Sequence, residues 1–306
     1  MWNMEEKKIQ GFEQAVRVLP LRLRQEAMAL PADQRARVEE LRLRWGRPMA
    51  AVLPEGERPL GGGPVTGQEL EQLLELASRA SFHTVADQLR RGYLTVEGGH
   101  RVGLCGTAVV RDGELRGLRR LSSAAVRVAR QAVGAARPVS DRLLRREGTL
   151  YSTLILAPPG AGKTTLCRDL IRAASDGEGM TPHRVGVADE RGEVAALWNG
   201  RPQLEVGART DVLEGCPKAL ALMLLLRSMN PQVLAADEIT APEDVRALIS
   251  AAGCGAALLA TAHGWDRRDL EERPLYRELM AAGVFRRLVL IRREGDRRRY
   301  EVEELP

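Results

Sequence analysis

The sequence predicts an α/β protein built on a mainly parallel sheet with helices on both faces, preceded by a smaller α+β domain. Three features of the chain predict it. From Tyr151 onward, short apolar runs alternate with helical-period stretches, the pattern of parallel strands joined by crossover helices. Within that region, an apolar run leads into Gly160-Ala161-Gly162 and then into a helix start. Ahead of it, short paired strands and tight-turn signals replace the alternation. A chain of 306 residues suits two domains, each able to bury its own core. The expected division is 1–135 and 136–306.

In the first domain, Leu41-Arg42-Leu43-Arg44-Trp45 alternates, and Gly46-Arg47-Pro48 separates it from Met49-Ala50-Ala51-Val52-Leu53. These read as two strands of a hairpin. Residues 60–67 are rich in glycine and proline and read as a loop. Thr66-Gly67-Gln68-Glu69 has capping-box spacing, with Val65 and Leu70 placed as a hydrophobic staple. A helix is therefore predicted to about Ala80, burying Leu70, Leu73, Leu74 and Ala77. A second short helix is predicted to end at Gly92. Strands follow at 93–96 and 102–110, Asp112-Gly113 is a hairpin turn signal, and a further strand covers 125–129. Residues 131–140, with Gly134 and Pro138, read as a linker.

In the second domain, strands are predicted at 153–157, 184–189, 233–237, 257–262 and 285–292. Helices are predicted at 163–174, 217–229, 242–252 and 269–282. Residues 299–303 add a closing antiparallel strand.

Composition narrows the function classes. The longest apolar run, residues 219–226, stops at Arg227, far short of the roughly 20 residues that span a bilayer. The charged start lacks an apolar signal core, so a cytoplasmic location is expected. Cys105, Cys167, Cys216 and Cys254 are far apart, which indicates neither a zinc site nor a disulfide framework; four buried thiols are expected. The net charge of +5 comes mainly from arginines interspersed with 41 acidic residues. That is weak support for nucleic-acid binding. The dense basic cluster, Arg286, Arg287, Arg292, Arg293 and Arg297 to Arg299, reads as a solvated strand face.

The strongest chemical signal is Ala157-Pro158-Pro159-Gly160-Ala161-Gly162-Lys163-Thr164-Thr165, after the apolar Leu154-Ile155-Leu156. In such a loop, successive backbone N–H groups converge on phosphate oxygens. Gly160 and Gly162 let the backbone approach, Lys163 reaches the β- and γ-phosphates, and the Thr164 hydroxyl can ligate Mg²⁺. The strict pattern begins with Gly where this chain has Ala157, which fits unless the position needs a positive φ.

The second signal is Val233-Leu234-Ala235-Ala236-Asp237-Glu238, a strand ending in two acids. Asp237 is expected to hold Mg²⁺, and Glu238 to orient and deprotonate a water. Asp189-Glu190-Arg191-Gly192-Glu193 brings more acids to the same edge, and Glu193 is a candidate for positioning water or metal. His263, in Thr261-Ala262-His263-Gly264, is placed to sense a γ-phosphate. Motor rings often complete a site with a neighbour's arginine. Arg209 and Arg227 are candidates beside Arg101 and Arg127 of the first domain.

Further motifs extend the pattern. They include Glu40-Leu41-Arg42-Leu43-Arg44, Gly92-Tyr93-Leu94-Thr95, Gly98-Gly99-His100-Arg101-Val102-Gly103 and Arg127-Val128-Ala129-Arg130. In the second half they include Arg209-Thr210-Asp211-Val212-Leu213, Gly215-Cys216-Pro217-Lys218 and Arg227-Ser228-Met229-Asn230-Pro231. With these, the chain over residues 38–295 resembles the stage III sporulation protein AA family of endospore-forming bacteria. That family lies in the secretion-ATPase branch of RecA-like motors. Thr240 departs from the pattern, where Gly is expected.

The resemblance implies an ATPase using ATP and Mg²⁺, assembled as a homo-oligomer, a hexamer. It implies a place beside the membrane proteins of the stage III sporulation complex, on the mother-cell side, powering a channel between mother cell and forespore. It also implies a first domain that closes on nucleotide about a hinge near residues 134–138. The alternatives are an ATP-dependent nucleic-acid-binding protein and a scaffold that binds ATP without turnover. The low aromatic content of 4% counts against base stacking on nucleic acid. Glu238 counts against the scaffold, because binding alone does not need it.

Overall fold

The computed structural model describes residues 4–78, 92–294 and 297–306. The chain divides into two compact units, one of residues 1–130 with 196–203, the other of residues 131–195 with 204–306.

The first unit opens with helices α1 (Met4–Ala15), α2 (Leu21–Met28) and α3 (Ala32–Arg35), which sequence periodicity did not reveal. Strands β1 (Glu40–Arg44), β2 (Pro48–Leu53) and β3 (Gly56–Pro64) follow, then helix α4 (Gly67–Ala77) and strands β4 (Tyr93–Val96), β5 (His100–Arg111) and β6 (Glu114–Arg127). They form an antiparallel sheet in the order β3-β2-β1-β6-β5-β4. Its inner face contributes Leu41, Leu43, Met49, Val102 and Val126 to a core shared with Phe12, Leu19, Leu23, Leu70 and Leu73.

The predicted capping box is present. Thr66 accepts the Glu69 N–H at 3.2 Å, and the Thr66 N–H donates to Glu69 at 2.9 Å. Arg22 grips the same carboxylate at 2.7 and 2.8 Å and holds its pKa down to about 2.

Three expectations need correction here. Residues 60–64 are not loop but the end of β3, which pairs with β2. It is an edge strand, and an edge tolerates Pro59 and Pro64 because outward-facing N–H groups are dispensable there. Strand β6 begins at Glu114, well before the predicted 125. Cys105 and Cys254 are exposed, leaving Cys167 as the buried thiol and Cys216 as intermediate. The predicted short helix before Gly92 lies outside the described residues.

The second unit begins with turns over 133–139 and a 3₁₀ turn at Ser140–Leu143. Strand β7 (Thr153–Ala157), helix α5 (Lys163–Asp176) and strand β8 (Val185–Asp189) follow. The short strands β9 (Leu197–Trp198) and β10 (Arg201–Pro202) form a hairpin that belongs to the first unit, where Gln203 accepts the Gly98 N–H at 2.8 Å. Then come β11 (Thr210–Glu214), α6 (Lys218–Met229), β12 (Val233–Ala236), α7 (Pro242–Gly253), β13 (Ala257–His263), α8 (Arg267–Glu272), α9 (Pro274–Ala281), β14 (Arg287–Glu294) and β15 (Arg297–Glu304).

The sheet order is β11-β8-β12-β13-β7-β14-β15, parallel except for the final pair. β7, β8 and β12 are buried along their whole length, which is why they read as unbroken apolar runs. Strand β11 was not expected, because its residues are only half-buried at the sheet edge. The predicted helix 269–282 is instead two helices, since Pro274 opens the second and lacks the N–H to continue the first. No helix among the described residues is long and apolar enough to cross a membrane.

His100 sits almost fully buried in the first unit, with its Nδ1 accepting the Ala129 N–H at 3.0 Å. Gly98 makes room for it: φ is +85°, and a Cβ there would stand 2.6 Å from the His100 Nε2. Burial lowers the His100 pKa to about 4. The folded state therefore resists a proton that the unfolded chain accepts near 6.5. Stability from this residue is intact above pH 6.5 and is lost as pH falls towards 4, to the extent of roughly 3 kcal/mol. His100→Gln should narrow its stability deficit against the wild type over that interval in urea titrations. A deficit constant from pH 7 to 4 would rule this out.

Candidate functional site

Because the strands from β11 to β14 run parallel, their carboxyl ends share one edge of the sheet. Such edges are where open α/β sheets take ligands. The loop 158–162 leaves β7 at this edge and enters α5. Gly160 and Gly162 adopt left-handed φ values of +74° and +104°. At Gly162 a Cβ would also lie 2.8 Å from the Arg298 Nε. Ala157 has no such demand: it is the last residue of β7, so its departure from Gly is harmless. Pro158, Pro159 and Ala161 complete the turn, where the prolines have no N–H and the Ala161 N–H donates to the Pro158 carbonyl at 3.3 Å; the free N–H groups of the first helical turn, at Thr164 and Thr165, suit an anion.

Lys163 is buried and folded back on the loop. Its Nζ donates to the Ala157 carbonyl at 2.9 Å and the Pro158 carbonyl at 3.1 Å, and meets the His263 Nδ1 at 2.9 Å. Burial lowers its pKa against the opposing pull of Asp237 and Glu238. An ammonium only donates, so His263 Nδ1 accepts and Nε2 carries the hydrogen. Nε2 then donates to the Glu238 Oε1 at 2.8 Å.

Asp237 follows β12. Its Oδ2 accepts the Thr164 hydroxyl at 2.7 Å and its Oδ1 the Thr261 hydroxyl at 2.6 Å. Burial raises its pKa, the two hydroxyls lower it, and the charges of Glu193 and Glu238 raise it further. Glu193 is thus near enough for its charge to act on Asp237. Glu238 holds a left-handed φ of +56°, uncommon for a residue with a long side chain. Its N–H donates to the Thr261 Oγ1 at 2.8 Å, and its Oε2 accepts from Arg191 at 2.7 Å.

Asp189 has a structural part. It is buried, and its carboxylate accepts the N–H groups of Glu193, Val194 and Ala195 at 2.9 to 3.0 Å. Arg168 of α5 closes the same loop by donating to the carbonyls of Glu193 and Val194. Glu190 pairs with the buried Lys218 at 2.6 Å. These contacts set the loop so that Arg191 reaches Glu238.

Lys163, Thr164, Asp237, Glu238 and His263 therefore converge, with Glu193 near enough for its charge to act on Asp237. Arg209 and Arg227 do not join them within this chain. Arg209 immediately precedes β11, and its guanidinium bonds the Ser175 carbonyl at 3.0 Å, near the far end of α5. Arg227 is exposed in the last turn of α6, which leads to the amino end of β12. Sequence reasoning missed Thr261, Arg191, Arg168 and Arg298. Only Thr261 carried a signal, two residues before His263 on the same strand face.

The two oxygens of Thr164 and Asp237 are hard donors suited to Mg²⁺. The loop amides and Lys163 can take phosphate oxygens, and Glu238 is held beside them by His263 and Arg191. Thr261 is the joint of the arrangement, because its hydroxyl both receives the Glu238 N–H and donates to Asp237. Thr261→Val should leave both groups short of a partner in a buried site and cost about 1–3 kcal/mol. Urea denaturation checks this; a variant as stable as wild type would show that the joint carries nothing.

Comparison with known proteins identifies the family and the fold. The family model described as "Sporulation stage III, protein AA" matches residues 8–302. The chain is 39% identical over 280 residues to Stage III sporulation protein AA of Bacillus subtilis (strain 168), covering 91% of this chain and 90% of that one. Among solved structures, it resembles the pilus retraction motor PilT with bound ADP at a TM-score of 0.60, with 17% identity over 88% of this chain and 80% of that one. It also resembles the Legionella pneumophila ATPase DotB at 0.55, with 14% identity over 87% and 76%. At such low identity these two likenesses establish the fold, a RecA-like α/β sheet preceded by a smaller α+β unit. The chain belongs to the sporulation stage III protein AA family.

Proposed function

We propose that this protein is an ATP-hydrolysing motor of the secretion-ATPase type. The observation that carries the reading is the convergence at one sheet edge of Lys163, the Thr164–Asp237 pair and Glu238, the last held by both His263 and Arg191. A site that only bound nucleotide would need the loop, but not an anchored carboxylate beside it.

In this reading the loop amides over 160–165 hold the β- and γ-phosphates, and Lys163 leaves the carbonyls of Ala157 and Pro158 to meet them. Thr164 and Asp237 would hold Mg²⁺, which would neutralise charge on the transferred phosphoryl group. Glu238 accepts a proton from the attacking water as its oxygen bonds to the γ-phosphorus and the bond to ADP breaks. His263 touches both Lys163 and Glu238, so a γ-phosphate that drew Lys163 away would be felt at the base.

Assembly and context follow the family: a homo-oligomer, read as a hexamer, peripheral to the membrane proteins of the stage III complex, powering the mother cell–forespore channel. Residues 131–140 would join a first domain of 1–135 to a motor of 136–306. Arg209 or Arg227 could enter a site only from a neighbouring subunit, given where the protomer holds them. An ATP-dependent nucleic-acid binder is the second reading. A cleft of about 310 Å³ in the first unit, lined by Arg42, Arg101 and Arg127 with Tyr93, is the feature that favours it.

The test is ATP turnover by the full chain with Mg²⁺, alongside measurement of mass. Glu238→Gln should bind ATP but turn over at least about a hundredfold more slowly. Lys163→Ala should lose binding, and chelation of Mg²⁺ should abolish turnover. Wild-type rates in Glu238→Gln would sink the assignment. Hydrolysis stimulated by nucleic acid with a steep salt dependence would move the second reading ahead.

A further inference from the structure

The C-terminal hairpin brings an arginine to the phosphate loop. Arg298, on β15 at the carboxyl edge, donates from Nε to the Ala161 carbonyl at 3.0 Å. Its guanidinium lies against Gly162, whose left-handed φ of +104° favours glycine and leaves the space beside it to the arginine. The remainder of the residue is exposed.

Two arguments say what this group can meet. The first is direction. In a phosphate-cradling loop the amides converge inward and the carbonyls point away. A guanidinium fastened to the Ala161 carbonyl therefore stands outside the cradle and is not aimed at the phosphates.

The second is strand order. Asp237 and Glu238 follow β12, and His263 ends β13; both strands lie on one side of β7. These residues fix the γ-phosphate end of the site. A nucleotide held that way runs its α-phosphate, ribose and base to the other side of β7, over β14 and β15, one to two strand spacings of about 4.8 Å away. Arg298 waits at that place. A guanidinium is planar, weakly hydrated and stacks on ring systems.

We propose that Arg298 is the platform of the nucleobase subsite, with its guanidinium plane stacked on the purine of the nucleotide that the loop holds. The inference rests on the nucleotide reading of the loop and adds to it the side on which the base lies. The hydrogen bond to Ala161 fixes the plane before the base arrives, so less side-chain freedom is lost on binding.

Calorimetric titration of the full chain in Mg²⁺ tests this, with ADP as one probe and tripolyphosphate, which lacks a base, as the other. Arg298→Ala should weaken ADP about tenfold and leave tripolyphosphate within about twofold of wild type. Arg298→Lys keeps the charge but not the plane and should show the same loss for ADP. Equal ADP affinity in wild type and both variants would overturn the proposal. So would parallel weakening of both probes, which would make Arg298 a phosphate contact, or wild-type ADP affinity in Arg298→Lys. If wild-type protein binds neither probe, the nucleotide reading fails and this inference with it; the other adverse outcomes leave that reading intact.

Discussion

Asp237 is a half-buried carboxylate whose two oxygens are taken by two hydroxyls, Thr164 from the start of α5 and Thr261 from β13. A charge in that position is costly unless it is solvated by the protein. The hydroxyls supply the solvation, and in doing so they fasten the phosphate loop to the two strands beside it. Shifting any of the three elements would leave the carboxylate short of a partner. The relative positions of β7, β12 and β13 at the carboxyl edge follow from this small cluster as much as from the apolar packing below it.

The neighbouring groups are set by the same logic. Thr261 accepts the Glu238 N–H while donating to Asp237, which supports the left-handed backbone at Glu238. That backbone turns the Glu238 side chain to where His263 and Arg191 hold it. Arg191 gets there because Asp189, buried and therefore inclined to keep its proton, is instead offered three backbone N–H groups by the loop it precedes. Arg168 binds the loop from the other side through its carbonyls. The acids at the end of β8 and beyond it divide accordingly: Asp189 shapes the loop, Glu190 neutralises Lys218, and the charge of Glu193 acts on Asp237.

The first unit shows how a family motif can be structural. Gly98 and His100 look like candidates for chemistry, since histidine so often serves as ligand or base. Here the imidazole is buried, neutral and bonded to the backbone of Ala129, and Gly98 is the space it needs. The lone basic cluster at the C-terminus teaches the opposite lesson. It reads as a solvated face, yet Arg298 within it touches the phosphate loop.

Local chemistry wrote much of this protein into its sequence. β7 was legible to the residue because four apolar positions end at a glycine-rich turn, and β8, β12 and β13 because strands buried on both faces are mostly apolar. The loop, Asp237 and Glu238 were legible because phosphate and metal binding demand particular residue types at fixed spacing. The half-buried edge strand β11 and the proline-bearing edge strand β3 were not, since an edge imposes no strict pattern. Neither were the parts of Thr261, Arg191, Arg168 and Arg298, because each acts on a residue at least 23 positions away. Such contacts exist only once the strand order β8-β12-β13-β7-β14-β15 has brought the carboxyl ends of the parallel strands and the amino end of β15 to one edge. Residue type and spacing declare which groups can do chemistry; the sheet decides which of them meet.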